Sequence, residues 1–150
     1  MTWTGAAILA VALGAAYFLL ARRLLTVTVD GESMVPALPP RMDALVRKAH
    51  KAKTGDIVVV AAPDPLTGWL DPSGPAKLTK ANKGLGHWWV KRVAAVGGER
   101  IPDSEETVPE GHYYLLSDNP AGEDSRRHGT VPASQLLGVV MHHWPLDEES

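Results

Sequence analysis

The chain has 150 residues, with 15 Lys and Arg against 17 Asp and Glu, and this net charge of −2 argues against a nucleic-acid partner. It contains no cysteine, which excludes disulfides, cysteine-ligated zinc and a thiol nucleophile. The length suits one domain, and 14 Gly and 12 Pro favour a turn-rich β fold.

The first predicted element is an N-terminal membrane anchor. Residues 1–21 carry no charge, and the apolar run from Trp3 to Ala21 would span about 28 Å as a helix, close to one hydrocarbon core. A cleavable secretory signal is the alternative, but the positive residues that start such signals are missing. We therefore expect residues 1–23 to be a retained single-pass anchor in the lipid of the cell membrane.

The two arginines after this span bear on its orientation. Arg22 and Arg23 follow the apolar run, and no basic residue precedes it. The positive-inside rule would then place the rest of the chain in the cytoplasm.

The remainder of the chain is predicted to be mostly β. Apolar or alternating runs predict strands at 24–29, 42–47, 57–62, 88–96, 113–116 and 136–141. Short turns are expected at 35–38 and 132–135, and residues 63–86, rich in Pro, Gly and Lys, are predicted to form a surface excursion or flexible loop. We expect a β domain over 24–145 and an acidic tail over 146–150.

Two residues in this domain suggest hydrolytic chemistry. Ser33 lies in a turn bounded by Gly31 and Pro36, directly after a predicted strand. Lys91 lies in an apolar strand, where Trp89 and Val93 share its face. A serine needs a neighbouring base, and a lysine can act as one once burial favours its neutral form. The pair therefore predicts a nucleophile and its general base.

Four segments in this order carry a family resemblance. They are 29–38 (VDGESMVPAL), 54–60 (TGDIVVV), 90–99 (VKRVAAVGGE) and 108–119 (VPEGHYYLLSDN) with Asp124-Ser125-Arg126 after it. Together they resemble the bacterial type I signal peptidases, the serine–lysine proteases of peptidase family S26. The resemblance runs from the anchor to about residue 140.

This resemblance implies a fold, an activity and a partner. The fold would be an antiparallel β-barrel or sandwich with one N-terminal transmembrane helix. The activity would be cleavage of signal or leader peptides, bound extended, from precursor proteins on the extracytoplasmic side of the membrane. Ser33 and Lys91 would be catalytic, and no cofactor or metal would be needed.

The resemblance also assigns supporting residues. Gly31 stands where some relatives carry a hydroxyl donor to the oxyanion, so backbone N–H groups would have to replace that donor. Met34 is expected to be an apolar plug that touches substrate or membrane. The supporting ion-pair network would consist of Arg92, Asp124 and Arg126. Asp118, which is also assigned to the supporting set, is expected to form a turn with Asn119.

The last signature departs from the family pattern. Relatives usually begin it with Gly-Asp-Asn and place a second serine near the lysine. This chain has Ser117 in place of that glycine, is about one residue shorter, and has Gly122 or Glu123 where the second serine would fall. We therefore expect Ser117 or a water molecule to orient Lys91.

Other interpretations stay open for individual residues. Ser33 is also explained as a turn serine, and Lys91 with Arg92 as a solvated pair on an edge strand. A Ser/His/Asp triad is conceivable, but the G-x-S-x-G motif is absent. His142 and His143 suggest metal ligands, yet neighbours on a strand point to opposite faces, so we expect no metal site there.

Two other functions remain as alternatives. One is a dedicated leader-trimming protease in the cytoplasm, resembling the maturation protease of nickel superoxide dismutase, which Arg22, Arg23 and the short last signature favour. The other is an inactive β domain that binds extended peptides by strand addition.

Overall fold

The structure is a computed structural model that describes residues 3–63, 66, 68–69 and 88–146. Within these residues, the helix α1 (Trp3–Ala21) precedes a β domain, and the short helix α2 (Ser125–His128) lies between two of its strands. The strands are β1 (Leu24–Val29), β2 (Met42–Lys48), β3 (Ile57–Ala61), β4 (Trp88–Val96), β5 (His112–Leu116), β6 (Val131–Pro132) and β7 (Leu136–Pro145). A single 3₁₀ turn, Ala133–Gln135, joins β6 to β7.

The seven strands form one antiparallel sheet that curls into a half-barrel. Their order is β1-β2-β7-β3-β4-β5-β6, so β1 and β6 are its edges. The pairing register shifts between Leu45 and Val46, between Val59 and Val60, and between Val93 and Ala95. Such irregularities bend strands and increase twist, which helps the sheet to curl. The curl lets β1 approach β4, although the two are not paired.

Both faces of the sheet carry apolar core. Val58 and Val60 of β3 pack into the larger cluster with Val93, whereas Val59 packs with Val27 on the other face. Because successive side chains alternate between faces, a strand covered on both sides is continuously apolar. This explains the run of hydrophobic residues in β3.

Helix α1 stands apart from this core. It has 19 residues, and none of them is buried. Its length and composition are sufficient to cross a membrane, a property that N-terminal signal sequences share. Arg22 and Arg23 follow it at the surface, directly before β1.

Most of the sequence-predicted elements are confirmed. The structure adds α2 and the two-residue β6, which are too short to leave a periodic signal, and it extends β7 to Pro145 through pairing with β2.

Two expectations differ from the structure. The sequence predicts a surface excursion or flexible loop over 63–86, which includes Trp69. This prediction is wrong at Trp69, because this residue is buried in the larger core cluster. Most of segment 63–86, and nearly all of the acidic tail, lie outside the described residues. The rings of His142 and His143 stack with centroids 6.2 Å apart instead of pointing to opposite faces.

Candidate active site

The candidate nucleophile lies in a tight loop that follows β1. Met34 and Leu38 are completely buried, and the Leu38 N–H donates to the Met34 carbonyl at 2.8 Å. At the end of the loop, the Arg41 N–H donates to the Val29 carbonyl at 2.8 Å. These contacts fix the backbone around Ser33, which stays half-buried.

Met34 therefore serves as an apolar plug under the loop, as the sequence predicts. Its side chain is 0% exposed, so it has no surface to offer to the membrane. It is also not among the described residues that line the neighbouring cavity. Its assignment to substrate binding stays a prediction.

A second loop, residues 117–124, is tied to the first by Asn119. The Asn119 N–H donates to the Ser33 carbonyl at 2.8 Å, and Asn119 Nδ2 donates to the Glu32 carbonyl at 3.1 Å. Asn119 Oδ1 also accepts from the Ala121 N–H at 3.0 Å, which closes the predicted turn. The sequence indicated only the turn, because the contact to Ser33 spans most of the chain.

Lys91 projects from β4 into the same region. Its neighbours two positions away, Trp89 and Val93, share its face of the strand, and Lys91 itself is only 3% exposed. Lys91 Nζ lies 4.8 Å from the centroid of the Trp89 ring. Lys91 is thus buried beside apolar groups, as the sequence predicts.

Ser117 provides the hydroxyl partner of this amine. Lys91 Nζ donates to Ser117 Oγ at 2.9 Å, and Ser117 Oγ donates to the Glu123 carbonyl at 3.2 Å. The sequence predicts that Ser117 or a water molecule orients Lys91, and the structure shows Ser117 in contact with the amine. It stands at the start of the loop, where relatives resembling this chain have glycine.

Gly122 explains why this hydroxyl fits. A Cβ built on Gly122 would overlap Ser117 Oγ and would lie 3.1 Å from Ser33 Cβ. Gly122 thus lies between Ser33 and Ser117, and the absence of its side chain leaves room for the hydroxyl that holds Lys91. Ser33 and Ser117 therefore meet at this glycine, and Ser117 in turn contacts Lys91.

The charge state of Lys91 follows from its surroundings. The pKa of Lys91 is lowered from 10.5 to about 8. Burial is the main cause and Arg126 contributes in the same direction, while the negative charges of Asp124 and Glu123 oppose the shift. Removal of water outweighs the two carboxylates because the amine lies inside the fold. A lysine with this pKa is neutral in a useful fraction of molecules near neutral pH.

Two ion pairs brace the loop from below. Arg92 forms a bidentate pair with Asp118, with Nε–Oδ1 and Nη2–Oδ2 both at 2.8 Å. Arg126 forms another with Asp124, at 2.9 Å and 2.7 Å. The sequence assigned all four residues to one supporting set, with Arg92, Asp124 and Arg126 as an ion-pair network and Asp118 in a turn. The structure divides this set into two pairs, because β4 presents Arg92 directly to Asp118.

Asp124 is the most buried carboxylate of the site, at 1% exposure. Burial alone raises the pKa of Asp124, but hydrogen bonds from Arg126 and from the Ser117 N–H outweigh it and leave a lowered pKa. Its Oδ2 accepts from the Ser117 N–H at 2.8 Å, and its Oδ1 caps α2 by accepting from the Arg126 N–H at 3.0 Å. Asp124 therefore fixes the backbone of Ser117.

A cavity of about 370 Å³ opens in front of these groups. It is lined by residues of β1, the nucleophile loop, β4 and the second loop: Val27, Thr28, Val29, Asp30, Gly31, Ser33, Trp88, Trp89, Lys91 and Glu123. Gly31 thus lines the cavity, and open space lies where its Cβ would be. Its place beside the oxyanion stays a prediction. Among the residues described, no three His, Asp or Glu side chains gather to hold a metal ion.

Comparison with known proteins agrees with this geometry. No curated protein gives a significant match to the chain. The family model described as signal peptidase, peptidase S26, matches residues 2–107 and 102–144, which is nearly the whole chain. The matched regions include the loops of Ser33 and Ser117 and the Lys91 strand, and the chain belongs to the signal peptidase family, peptidase S26.

Proposed function

We propose that this protein is a membrane-anchored serine endopeptidase that removes signal or leader peptides, with Ser33 as nucleophile and Lys91 as general base. The observation that carries the proposal is the shared setting of Ser33, Lys91 and Ser117. Ser33 and Lys91 line one cavity, and Ser117 holds the Lys91 amine beside it. Membership of family S26 supports a serine peptidase function of this type.

The first half of the proposed reaction forms an acyl-enzyme. Neutral Lys91 removes the proton from Ser33 Oγ while this oxygen attacks the scissile carbonyl carbon. The tetrahedral intermediate then collapses, and the peptide C–N bond breaks. Protonated Lys91 returns its proton to the departing amine, which leaves an ester between Ser33 and the signal or leader segment.

The second half repeats these steps with water. Neutral Lys91 takes a proton from a water molecule that attacks the ester carbonyl. The ester C–O bond breaks, and Ser33 Oγ recovers its proton from Lys91. The lowered pKa of Lys91, about 8, makes roughly one amine in ten neutral at pH 7, compared with one in a few thousand for a solvated lysine.

The negative oxygen of both intermediates needs donors that are already in place. Gly31 has no side chain to offer, so the backbone N–H of Ser33 is the donor that we assign. The hydrogen bond from the Asn119 N–H to the Ser33 carbonyl holds this part of the backbone in place.

The substrate would bind as an extended strand. β1 is an edge of the sheet, and its residues Val27 and Val29 line the cavity in front of Ser33. A peptide that pairs with such an edge gains main-chain hydrogen bonds and places alternate side chains in pockets. Trp88 and Trp89 form the opposite wall, which favours small side chains beside the scissile bond.

The test is cleavage of a fluorogenic peptide with small residues before the scissile bond, using the full chain in detergent. We expect Ser33→Ala and Lys91→Ala each to lose at least 1000-fold in kcat/KM. Ser134→Ala and Lys53→Ala change exposed residues of the same types and should retain wild-type rates. Cleavage that survives in Lys91→Ala would reject Lys91 as the base, and binding of the peptide without cleavage would favour the inactive peptide-binding domain.

The membrane side decides between two kinds of substrate. Arg22 and Arg23, exposed after α1, favour a cytoplasmic domain that trims the leader of a dedicated substrate, whereas the family favours cleavage on the export side. We propose export-side cleavage. A reporter that works on only one side of the membrane, fused after Ser150, distinguishes the two, and a cytoplasmic reporter signal would support the dedicated leader protease.

A further inference from the structure

Three aromatic rings form a cluster behind the Lys91 amine. The centroids of Trp69 and Trp89 are 5.6 Å apart, those of Trp89 and His128 are 5.1 Å apart, and those of Trp69 and His128 are 5.9 Å apart. All three pairs meet edge to face, which is a favoured geometry for aromatic side chains. The cluster is therefore well packed.

The cluster reaches the site through Trp89. This residue is two positions before Lys91 on β4 and faces the same side, and its ring lies 4.8 Å from Lys91 Nζ. Both residues line the cavity in front of Ser33. The Trp89 ring is thus a wall between the amine and the other two rings.

The other two rings come from separate parts of the chain. Trp69 is buried, and its Nε1 donates to the Ala61 carbonyl at 2.9 Å, which fixes the ring. His128 ends α2, and its Nε2 is buried and makes no hydrogen bond within the described residues. The carboxylate of Glu123 faces this nitrogen at 3.8 Å, beyond hydrogen-bond distance, and Glu123 also faces Arg127 at 3.6 Å. His128 thus contributes its ring rather than a hydrogen bond.

We propose that His128 and Trp69 are positioning residues that clamp the Trp89 ring against Lys91 and so keep water from the amine. This inference rests on the proposed role of Lys91 as general base. Neither residue lines the cavity, so neither contacts the substrate there. Their effect passes through Trp89.

The expected consequence concerns the proton affinity of Lys91. Burial is the largest influence on its pKa, and the charged groups that face it are Asp124, Glu123 and Arg126. Loss of one clamp residue would admit water and move the pKa of Lys91 from about 8 back toward 10.5. The Trp89 ring itself attracts the ammonium form of Lys91, so loss of this contact would lower the pKa. This effect is weaker than that of the entering water and offsets only part of the rise.

The test compares two variants of one residue across pH. In His128→Ala, we expect the midpoint of the kcat/KM profile to rise by about one unit, so that the rate at pH 7 falls about tenfold and recovers above pH 9. His128→Phe restores a ring without nitrogens and should restore the wild-type midpoint. His142→Ala, an exposed histidine of β7, is the control. An equal loss of rate at all pH values would overturn the proposal, because a merely structural role predicts it.

A direct titration separates this inference from the proposed function. NMR of the full chain in detergent, with lysine labelled at Cε with ¹³C, follows the Lys91 amine without any substrate, and Lys91→Met identifies its signal. A higher Lys91 midpoint in His128→Ala supports the clamp even if no peptide is cleaved. An unchanged midpoint overturns it even if the enzyme is active. Where His128→Ala does not fold, Trp69→Leu tests the opposite side of the clamp and should raise the midpoint in the same way.

Discussion

Ser117 and Gly122 face each other beside the Lys91 amine. The hydroxyl of Ser117 accepts from Lys91 and donates to the backbone of the same loop, which leaves little freedom for either group. This hydroxyl fills the space that a side chain on Gly122 would need. The orientation of the Lys91 amine therefore depends on the hydroxyl of Ser117 and on the missing side chain at Gly122.

Removal of the Ser117 hydroxyl should mainly slow the chemical step. In Ser117→Ala, Lys91 loses the hydrogen-bond partner of its amine, and a hydrogen bond of this kind is worth about 1.5–3 kcal/mol. We expect kcat to fall about 10- to 100-fold with KM changed less than about threefold. Steady-state kinetics of Ser117→Ala and of Ser134→Ala check this, and a change confined to KM would contradict it.

A single methyl group on Gly122 should have a similar effect by another route. The new Cβ would displace Ser117 Oγ, so we expect Gly122→Ala to lose about tenfold or more in kcat while it stays folded. Ala121→Ser enlarges the exposed neighbouring residue and is the matched control. Full activity of Gly122→Ala would mean that the loop yields and that the position of Ser117 is not critical.

The open space at Gly31 predicts a gain of activity. A Cβ there meets no atom within 4 Å, so Gly31→Ser fits and brings a hydroxyl to the side of the cavity where the oxyanion forms. Because loss of one such donor costs a serine protease about 100- to 1000-fold in kcat, we expect an added and less well oriented donor to raise kcat about threefold to tenfold. Gly31→Ala, which lacks the hydroxyl, should show no such rise. Single-turnover kinetics distinguish this from faster product release.

At the scale of elements, the loop between β5 and α2 connects the whole site. It pairs with β4 through Asp118 and Arg92, with the nucleophile loop through Asn119, and with α2 through Asp124. The arrangement places Lys91 and Ser33 relative to each other without direct pairing of β1 and β4. Weakening one of these connections should therefore affect activity and stability together.

The stabilising contribution of the Asp124 carboxylate should depend on pH. Its folded pKa is lowered, so its contribution to stability is present above the ordinary value of 3.8 and is lost as the pH falls through the folded pKa. Asp124→Asn removes the charge, and we expect a loss of about 1–3 kcal/mol at pH 7. Thermal unfolding in detergent at pH 7 and at pH 3 checks this. The wild type and the variant should differ less at pH 3, and a constant difference would contradict the assignment.

At the scale of the whole molecule, the burial of Lys91 in the candidate site lowers the stability of the folded protein. Folding holds Lys91 in a place that disfavours its charge, and a pKa lowered from 10.5 to about 8 corresponds to a cost on the order of 3 kcal/mol at pH 7. Active sites commonly carry such costs, because the chemistry requires a group that the fold does not stabilise.

Replacement of the base by an apolar residue should thus stabilise the protein and inactivate it. We expect Lys91→Met to unfold about 3–10 °C higher than the wild type at pH 7. Between about pH 8 and pH 10.5 the unfolded wild type binds more protons than the folded form, so the stability of the wild type rises with pH. The difference in unfolding temperature between Lys91→Met and the wild type therefore narrows over this range. Melting curves across this range measure it. A less stable Lys91→Met at pH 7 would show that the contacts of Lys91 outweigh its burial.

The strands and the candidate dyad follow from local sequence signals. Alternating and apolar runs predict the strands of the sheet, since side-chain alternation is a property of each strand alone. The turn around Ser33 and the apolar face of Lys91 are visible in the same way. By contrast, the pairing of Arg92 with Asp118 joins residues from separate strands and loops, which is why the sequence placed both in one supporting set without identifying them as partners.

Long-range contacts also explain the residues that sequence reasoning missed or left undecided. Asn119 contacts Glu32 across 87 positions, and Trp69 packs against His128, which ends the short helix α2. Such contacts depend on how the sheet curls, and no local pattern of residue types encodes them.

The sequence by itself determined that this chain is mostly β and that residues 3–21 form a helix able to span a membrane, and it predicted Ser33 and Lys91 as a nucleophile and its base. Only the tertiary structure decided that Ser117 orients the amine, that Gly122 must lack a side chain, and that Trp69 and His128 enclose Trp89. The reason is physical: residue type and periodicity act over a few neighbouring positions, whereas burial, hydrogen-bond partners and proton affinity depend on groups that the folded sheet brings together from distant parts of the chain.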